Sequence, residues 1–443
     1  MPGCPQEVQD RGHDAARIRR EAADPGAAPA RAPRDRLVQP DGKRRGSGTL
    51  AGGRLRSGDM AVFLLVALSI YGLVNFYIAR RGWQALASCP AGRGALLAVF
   101  ILLALAYPLG RIVLARGGAG LAGPFIKIGS LHMALMLYLF MGIALVDLAR
   151  LADAFLGFLP ASLRDRPGRT GLVLFIVVFG AAALTIVGGA LNAARPKITD
   201  LELRIEKGAG DLDRLTVVMA SDLHLGTIVG PGRLEKIVAR INALRPDVVL
   251  FPGDIVDESV TDEQEARMSS VMRGLRAPLG VFAVPGNHEF YSGLERNLAC
   301  LRACGIRVLE DEAVEVAGAF VLIGRRDPSA LERGEARVPI REIIRRHQVN
   351  ENLPLILLDH QPLRLDEAQE AGVDLQLSGH THAGQLFPLN LINKRVWELN
   401  RGYLRKGGTQ YYVTSGVGTW GPPVRTGSRP EIVRVALAFG TDK

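Results

Sequence analysis

The sequence predicts an α/β domain carried behind four membrane-length helices. Three observations lead there. Four uncharged apolar runs, each near the roughly 20 residues that cross a bilayer, fill the region 60–194. From about Ile198 the apolar runs become short and β-branched, with helical patterns between them. Five polar motifs rich in Asp, His and Asn stand directly after those short runs.

Residues 1–59 come first. They are rich in Arg, Ala, Gly and Pro, and nothing there can bury a core, so a disordered tail is expected. Met60 opens the first apolar run directly, and the tail could reflect a start codon placed too far upstream. The chain has 443 residues and a formal net charge of +10. Much of that excess lies in the tail and in short loops between apolar runs. There it orients membrane segments, and nucleic-acid binding is not expected.

The region 60–194 holds the four runs: Ala61–Ala79, Gly94–Gly110, Ile128–Val146 and Gly171–Ala194. Arg80-Arg81, Arg111, Asp147 and Arg195 close them. One such run could be a core helix; four in succession between Arg-rich loops read as an integral membrane region, as in a bacterial inner membrane. His132, inside the third run, is expected to be packed or interfacial rather than a ligand. Four spans put both chain ends on one side. The tail's twelve Lys and Arg favour a cytoplasmic side. With a start at Met60, the first and third loops outweigh the second, which places the C-terminal domain outside the cytoplasm, and this is the side expected.

Residues 195–214 are expected to link the spans to a first strand, with the α/β domain over 215–443. Strands are expected at Leu215–Ala220, Val248–Phe251, Val281–Val284, Val321–Ile323, Leu355–Leu358, Asp374–Leu377 and Tyr411–Thr414. Helices are expected at Gly232–Leu244 and Asp262–Leu275. The motifs follow in chain order: Asp222-Leu223-His224, Gly253-Asp254-Ile255-Val256-Asp257, Gly286-Asn287-His288-Glu289, Asp359-His360 and Gly379-His380-Thr381-His382. Five of the chain's eight histidines fall inside them. Ligands at separate strand ends of one sheet converge at its carboxyl edge, and carboxylate, imidazole and carboxamide together suit two divalent cations. Cys4, Cys89, Cys300 and Cys304 are scattered and suggest no disulfide framework; Cys300 and Cys304 share a helix face as two buried thiols.

From Leu215 to Val435 this motif set resembles the calcineurin-like metallophosphoesterase superfamily. It looks most like the membrane-anchored bacterial branch that includes UDP-2,3-diacylglucosamine hydrolases of lipid A biosynthesis. The resemblance implies a four-layer α-β-β-α sandwich. It implies that Asp222, His224, Asp254 and His382 hold one metal, and that Asp254 bridges to a second held by Asn287, His360 and His380. A bridging ligand must be a carboxylate to offset two dications about 3.5–4 Å apart. The histidines suit Mn, Fe or Zn over Mg or Ca. A bridging water would lose a proton and attack phosphorus in line with the leaving group.

His288 is assigned to the leaving-group side as proton donor or charge stabiliser, with Asp257 orienting it, as these positions pair in many relatives. A loop-capping role is the alternative for Asp257. Glu289 is expected to support the ligands rather than react. The protein serine/threonine phosphatases of the superfamily carry Arg-Gly after the motif aspartate; here Glu258-Ser259 follows Asp257, which disfavours that branch. The segment Leu386–Trp397 is apolar and either meets a bilayer or acyl chains, or packs on the sheet. Arg425, in the Gly/Pro-rich segment Gly416–Arg425, either meets a substrate phosphate or lies on the surface.

The expected activity is that of a membrane-tethered phosphodiesterase or pyrophosphatase acting on a lipid-linked substrate such as UDP-2,3-diacylglucosamine. Hydrolysis of soluble nucleotides or phosphoproteins, and a metal-free scaffold, are the alternatives. A transporter is disfavoured, because apart from His132 and Lys127 the spans lack ionisable residues.

Overall fold

The computed structural model of the chain describes residues 57–160, 167–257 and 261–440. The expected tail lies outside them, except that Ser57 to Asp59 already belong to the first helix. Four long helices come first: α1 (Ser57–Ala85), α2 (Pro90–Ala115), α3 (Ala119–Leu156) and α4 (Pro167–Ala193). Each is long and apolar enough to cross a membrane. Pro90 opens α2, where a missing N–H costs nothing. Gly157, at φ 63°, closes α3 in the left-handed conformation that glycine adopts without strain.

Small residues let these helices approach closely. A Cβ on Gly110 would lie 2.9 Å from the Ile126 backbone nitrogen, so the backbones of α2 and α3 approach closely there. His132 is buried with its Nε2 2.9 Å from Asn75 Oδ1, a packed histidine as expected. At one end of the bundle Arg81 pairs with Asp147 at 2.6 Å.

The rest is an α/β sandwich. Its strands are β1 (Lys197–Ile205), β2 (Arg214–Met219), β3 (Val248–Pro252), β4 (Val281–Val284), β5 (Arg307–Val308), β6 (Glu312–Val316), β7 (Phe320–Gly324), β8 (Leu355–Leu358), β9 (Leu375–Ser378), β10 (Gly402–Lys406), β11 (Thr409–Val413) and β12 (Glu431–Phe439). They form two six-stranded sheets, ordered β1-β12-β2-β3-β4-β5 and β10-β11-β9-β8-β7-β6. β2 to β5 run parallel, as do β7, β8, β9 and β11. β3, β7, β8, β9 and β11 are buried along their whole length, which is why they read as unbroken apolar runs rather than alternating ones.

The helices are α5 (Pro231–Ala243), α6 (Asp262–Met272), α7 (Asn287–Ser292), α8 (Leu294–Ala303), α9 (Ser329–Glu332), α10 (Ile340–Arg346), α11 (Leu365–Glu370) and α12 (Leu389–Val396). Three apolar clusters make the four layers. α5, α6 and α8 pack on the outer face of the first sheet through Leu234, Ile237, Met268 and Leu298. Leu250, Phe282, Val433, Phe320, Leu358 and Leu377 fill the space between the sheets. α10 and α11 cover the second sheet through Ile343, Ile344 and Leu365. Thr261 caps α6 by accepting from the Gln264 amide, which returns a side-chain bond to Thr261. Cys304 is buried, whereas Cys300 is half-exposed with its Sγ 3.6 Å from Ser269 Oγ.

The sandwich is locked to the bundle at α3 and α4. Asn192 Nδ2 donates to the carbonyls of Arg425 and Ser428 at 2.8 and 2.9 Å. The Arg425 amide donates to Gly189 O at 3.0 Å. Tyr138 reaches across to Phe387 and Thr426.

Candidate metal centre

The motif residues leave the strands at one end of the molecule. Asp222 and His224 follow β2, Asp254 and Asp257 follow β3, and Asn287 and His288 open α7 after β4. His360 follows β8, and His380 and His382 follow β9. The expectation of a single sheet edge is corrected here. Three of these strands belong to one sheet and two to the other, because the apolar layer between the sheets stacks them with their carboxyl ends side by side.

The local backbone is unusual. Asp222, His224, Asp254, His380 and His382 all have positive φ, between 48° and 70°. For non-glycine residues this is strained, and it persists only where the surroundings over-determine it. The loops after β2 and β3 supply that constraint by pairing: the Asp222 amide donates to Gly253 O, His224 to Asp254 O and Leu225 to Ile255 O. Gly286 gives the close approach. A Cβ there would fall 2.5 Å from the Asp254 amide nitrogen.

The side chains form three groups, each with one ligand atom per residue within 4.8 Å of the others: Asp222, His224 and His382; Asp254, His360 and His380; His224, Asp257 and His288. His224 Nε2 and His382 Nε2 are 2.9 Å apart, and His382 Nε2 is 3.6 Å from Asp222 Oδ1. Asn287 Oδ1 lies 2.8 Å from His380 Nδ1 and 3.2 Å from His360 Nε2. Asp254 stands between the groups, its Oδ2 3.1 Å from His360 Nε2 and 3.8 Å from His224 Nε2.

This donor set fits two cations. His360 Nδ1 donates to Pro252 O at 2.8 Å, which leaves its Nε2 lone pair aimed at the Asp254 carboxylate and the Asn287 carbonyl. Three acceptors facing one another with no donor call for a positive charge. Without a cation, a proton takes that place: burial would lower His360, but Asp254 and Asp222 hold it well above the usual imidazole range. Among the described residues, Asp222 Oδ2 and His224 Nδ1 are buried without a hydrogen-bond partner. Burial, with His224 and Arg425 beside it, holds His382 well below its ordinary value and therefore neutral, as a ligand must be. Burial and His360 likewise push His380 down to about 3.

Supporting side chains complete the site. Glu289 is fully buried and accepts from four amides, those of Asp254, Ile255, Val256 and Gly286, at 2.7 to 3.1 Å. It ties the β3 loop to the start of α7. Burial and Asp254 push it up to about 7, while the Val256 and Gly286 amides pull the other way. Glu289→Ala strands all four donors; at about 1–3 kcal/mol per unmet buried group, a loss of several kcal/mol is expected, read as a lower thermal midpoint of the purified protein. A midpoint unchanged by the substitution contradicts this.

His288 Nδ1 hydrogen-bonds Asp257 Oδ1, and its amide donates to Asp254 Oδ1 at 2.9 Å. Burial would lower His288, but the Asp257 hydrogen bond and the Asp254 charge raise it. Asp257 is held low: burial opposes this, and the neighbouring His224 and His288 imidazoles overcome it.

The roles of two side chains named in the sequence are decided only by the fold. Arg425 is fully buried, neither on the surface nor free for substrate. It donates to the carbonyls of Ser415, Gly418 and His382, and its Nη2 lies 3.0 Å from His382 Nδ1. An arginine only donates, so this contact puts the imidazole proton on Nε2; a cation there requires the proton on Nδ1 and the loss of that one contact. Asp359, beside His360, is buried against Arg337 at 2.5 Å and Arg325 at 3.5 Å, which neutralise it at the edge of the site. Aromatic rings frame the opening: Trp397 is 5.2 Å from His380, while Trp420 and Tyr291 are 6.1 and 5.9 Å from His288.

Residues 215–384 match the family model described as calcineurin-like phosphoesterase. A metallophosphoesterase of Helicobacter pylori is 37% identical over 247 residues, 55% of this chain and 64% of that protein. A metallophosphoesterase of Aquifex aeolicus is 36% identical over 243 residues, 53% of this chain and 92% of its own length. A Danio rerio protein named as a transmembrane protein with metallophosphoesterase domain is 35% identical over 269 residues, 58% of this chain and 60% of that protein. The chain thus spans less than two thirds of the Helicobacter and Danio relatives.

Proposed function

This chain belongs to the calcineurin-like metallophosphoesterases, and from that premise we propose that it is a membrane-tethered hydrolase of phosphoesters working with two divalent cations. The observation that carries the reading is Asp254, whose Oδ2 lies within reach of both His224 and His360. Asp222, His224, Asp254 and His382 would hold one cation; Asp254, Asn287, His360 and His380 would hold the other. The imidazole-rich set suits Mn, Fe or Zn. Bound there, the cations would activate water and draw off charge from the phosphoryl oxygens.

The chain's own residues do the rest. Asp254 and Asp222 supply negative charge that is shielded from solvent. The His380 amide donates to Asp222 Oδ1 at 2.8 Å and the His288 amide to Asp254 Oδ1, so each carboxylate is fixed in orientation. His288, whose pKa the Asp257 hydrogen bond raises, gives its proton to the leaving oxygen. The four apolar helices favour a lipid-linked phosphodiester or pyrophosphate, with UDP-2,3-diacylglucosamine as the concrete candidate.

Chelation provides the direct test. Detergent-solubilised protein stripped of divalent cations is expected to lose hydrolysis of a chromogenic phosphodiester and to regain it with Mn, Fe or Zn; full activity after complete chelation refutes the dinuclear reading. The same preparation, assayed on UDP-2,3-diacylglucosamine, phospholipids and the soluble diester, tests the substrate. Turnover of soluble compounds alone removes the lipid.

A further inference from the structure

Helix α12 is built inside out. Its two asparagines face the protein, while Lys394 and Arg395 are exposed. Asn393 Nδ2 donates to Thr381 O at 3.2 Å, and Asn390 packs against Gly384 and Gly427. Its apolar side chains face away. Leu389, Ile392 and Val396 share one helical face and are 46%, 59% and 68% exposed, and Phe387 just before the helix is 46% exposed. No residue of α12 is buried. A helix bathed in water turns such a stripe to the core, and a contiguous apolar patch marks a surface that something else covers.

The covering medium follows from continuity with the membrane helices. Tyr138 of α3 donates to Phe387 O at 3.0 Å. Tyr138 lies ten residues beyond Ile128, where the uncharged run of α3 begins after Lys127. At 1.5 Å per residue that is about 15 Å along α3 from the run's charged end, within the stretch apolar enough to lie in a hydrocarbon layer about 30 Å thick. The backbone at this tip is paired as lipid demands: Phe387 O with Tyr138, and the Phe387 amide with Thr426 Oγ1 at 3.0 Å. Lys394 and Arg395 are exposed in the last turn of α12, placed to meet anionic head groups. Trp420, 59% exposed, and Trp397 flank both this rim and the histidines, and their amphipathic rings suit the interface.

We infer that Phe387, α12 and Trp420 insert into the bilayer beside α3, so that the metal centre opens onto the membrane surface and receives phosphoesters presented by lipids. Insertion stands on the geometry alone; the lipid substrate rests also on the hydrolase reading above.

Two measurements on the full chain test it. Trp83 is the tryptophan of α1, and Trp83→Phe leaves Trp397 and Trp420, both at the rim, as the only emitters. Reconstituted in phosphatidylcholine vesicles with brominated acyl chains, this variant is expected to emit at least about twofold less than in unbrominated vesicles. Equal emission overturns the insertion. So does a doubled molar mass in detergent that Ile392→Glu abolishes, because the face then belongs to a second copy. In the double variant Ile392→Glu, Val396→Glu, the ratio of vesicle-borne to soluble phosphodiester hydrolysis is expected to fall about tenfold, since lipid-facing charge is costly. An unchanged ratio overturns the lipid presentation. Should the wild type hydrolyse neither diester while bromine quenches its rim, the hydrolase reading fails and the insertion stands.

Discussion

Asp254→Asn is expected to release at least one cation and to lower kcat by about 10³-fold or more, roughly 4 kcal/mol of lost transition-state stabilisation. Asparagine keeps the size of the side chain and an oxygen to accept the His288 amide bond. It removes the charge and turns the oxygen facing His360 and His224 into an NH2 that only donates. That charge is the one both candidate cation positions share, with His360 Nε2 at 3.1 Å and His224 Nε2 at 3.8 Å from the same oxygen. Burial would raise Asp254, but the His360 and His224 imidazoles outweigh it and hold the carboxyl well below its ordinary value, so it stays ionised. Elemental analysis of the purified variant, beside kcat on a soluble diester, makes the check. A variant that retains two cations per chain and the wild-type rate would refute the bridging role.

His288→Ala is expected to cut kcat by about 10²–10⁴-fold with both cations retained. The imidazole has its own carboxylate partner in Asp257, and it is the backbone amide of His288, not the ring, that donates to Asp254. Its raised pKa sets the sign of the pH dependence. The imidazolium persists above the usual histidine range and is lost as pH rises through the raised value, so a reaction needing it as acid falls on the alkaline side. Asp257→Asn removes the carboxylate whose hydrogen bond does most to raise it, so the alkaline limb is expected to move to lower pH, with a smaller drop in kcat than His288→Ala gives. A variant whose limb stays in place assigns Asp257 to loop capping instead. His224, Asp257 and His288 also converge within 4.8 Å, so cation loss in His288→Ala would make His288 a ligand rather than a proton donor.

The motif residues were legible because divalent-cation chemistry restricts the residue types, and a polar cluster after a short apolar run marks a strand end. Their partners were less so. Glu289 read as a supporting acid, yet nothing in the sequence says that it accepts four amides from two loops. Arg425 sits in a Gly/Pro-rich stretch that looks exposed, and its acceptors are backbone carbonyls, which no sequence letter marks. Asp359 is neutralised by Arg325 and Arg337, which arrive from the segment after β7. The strand ends were read as one sheet edge; a strand's own residues record that both its faces are buried, not which sheet it joins.

By itself the sequence determined the four membrane-length helices, the strand-and-helix alternation and the residue types gathered at the candidate site. Each of these follows from local hydropathy or residue type. Tertiary structure alone decided that two sheets share the site, that Asp254 stands between the two histidine groups, that Arg425 is buried, and that the apolar stripe of α12 faces outward beside α3. These depend on contacts between residues far apart in the chain, where packing and the need to satisfy buried polar groups select the arrangement.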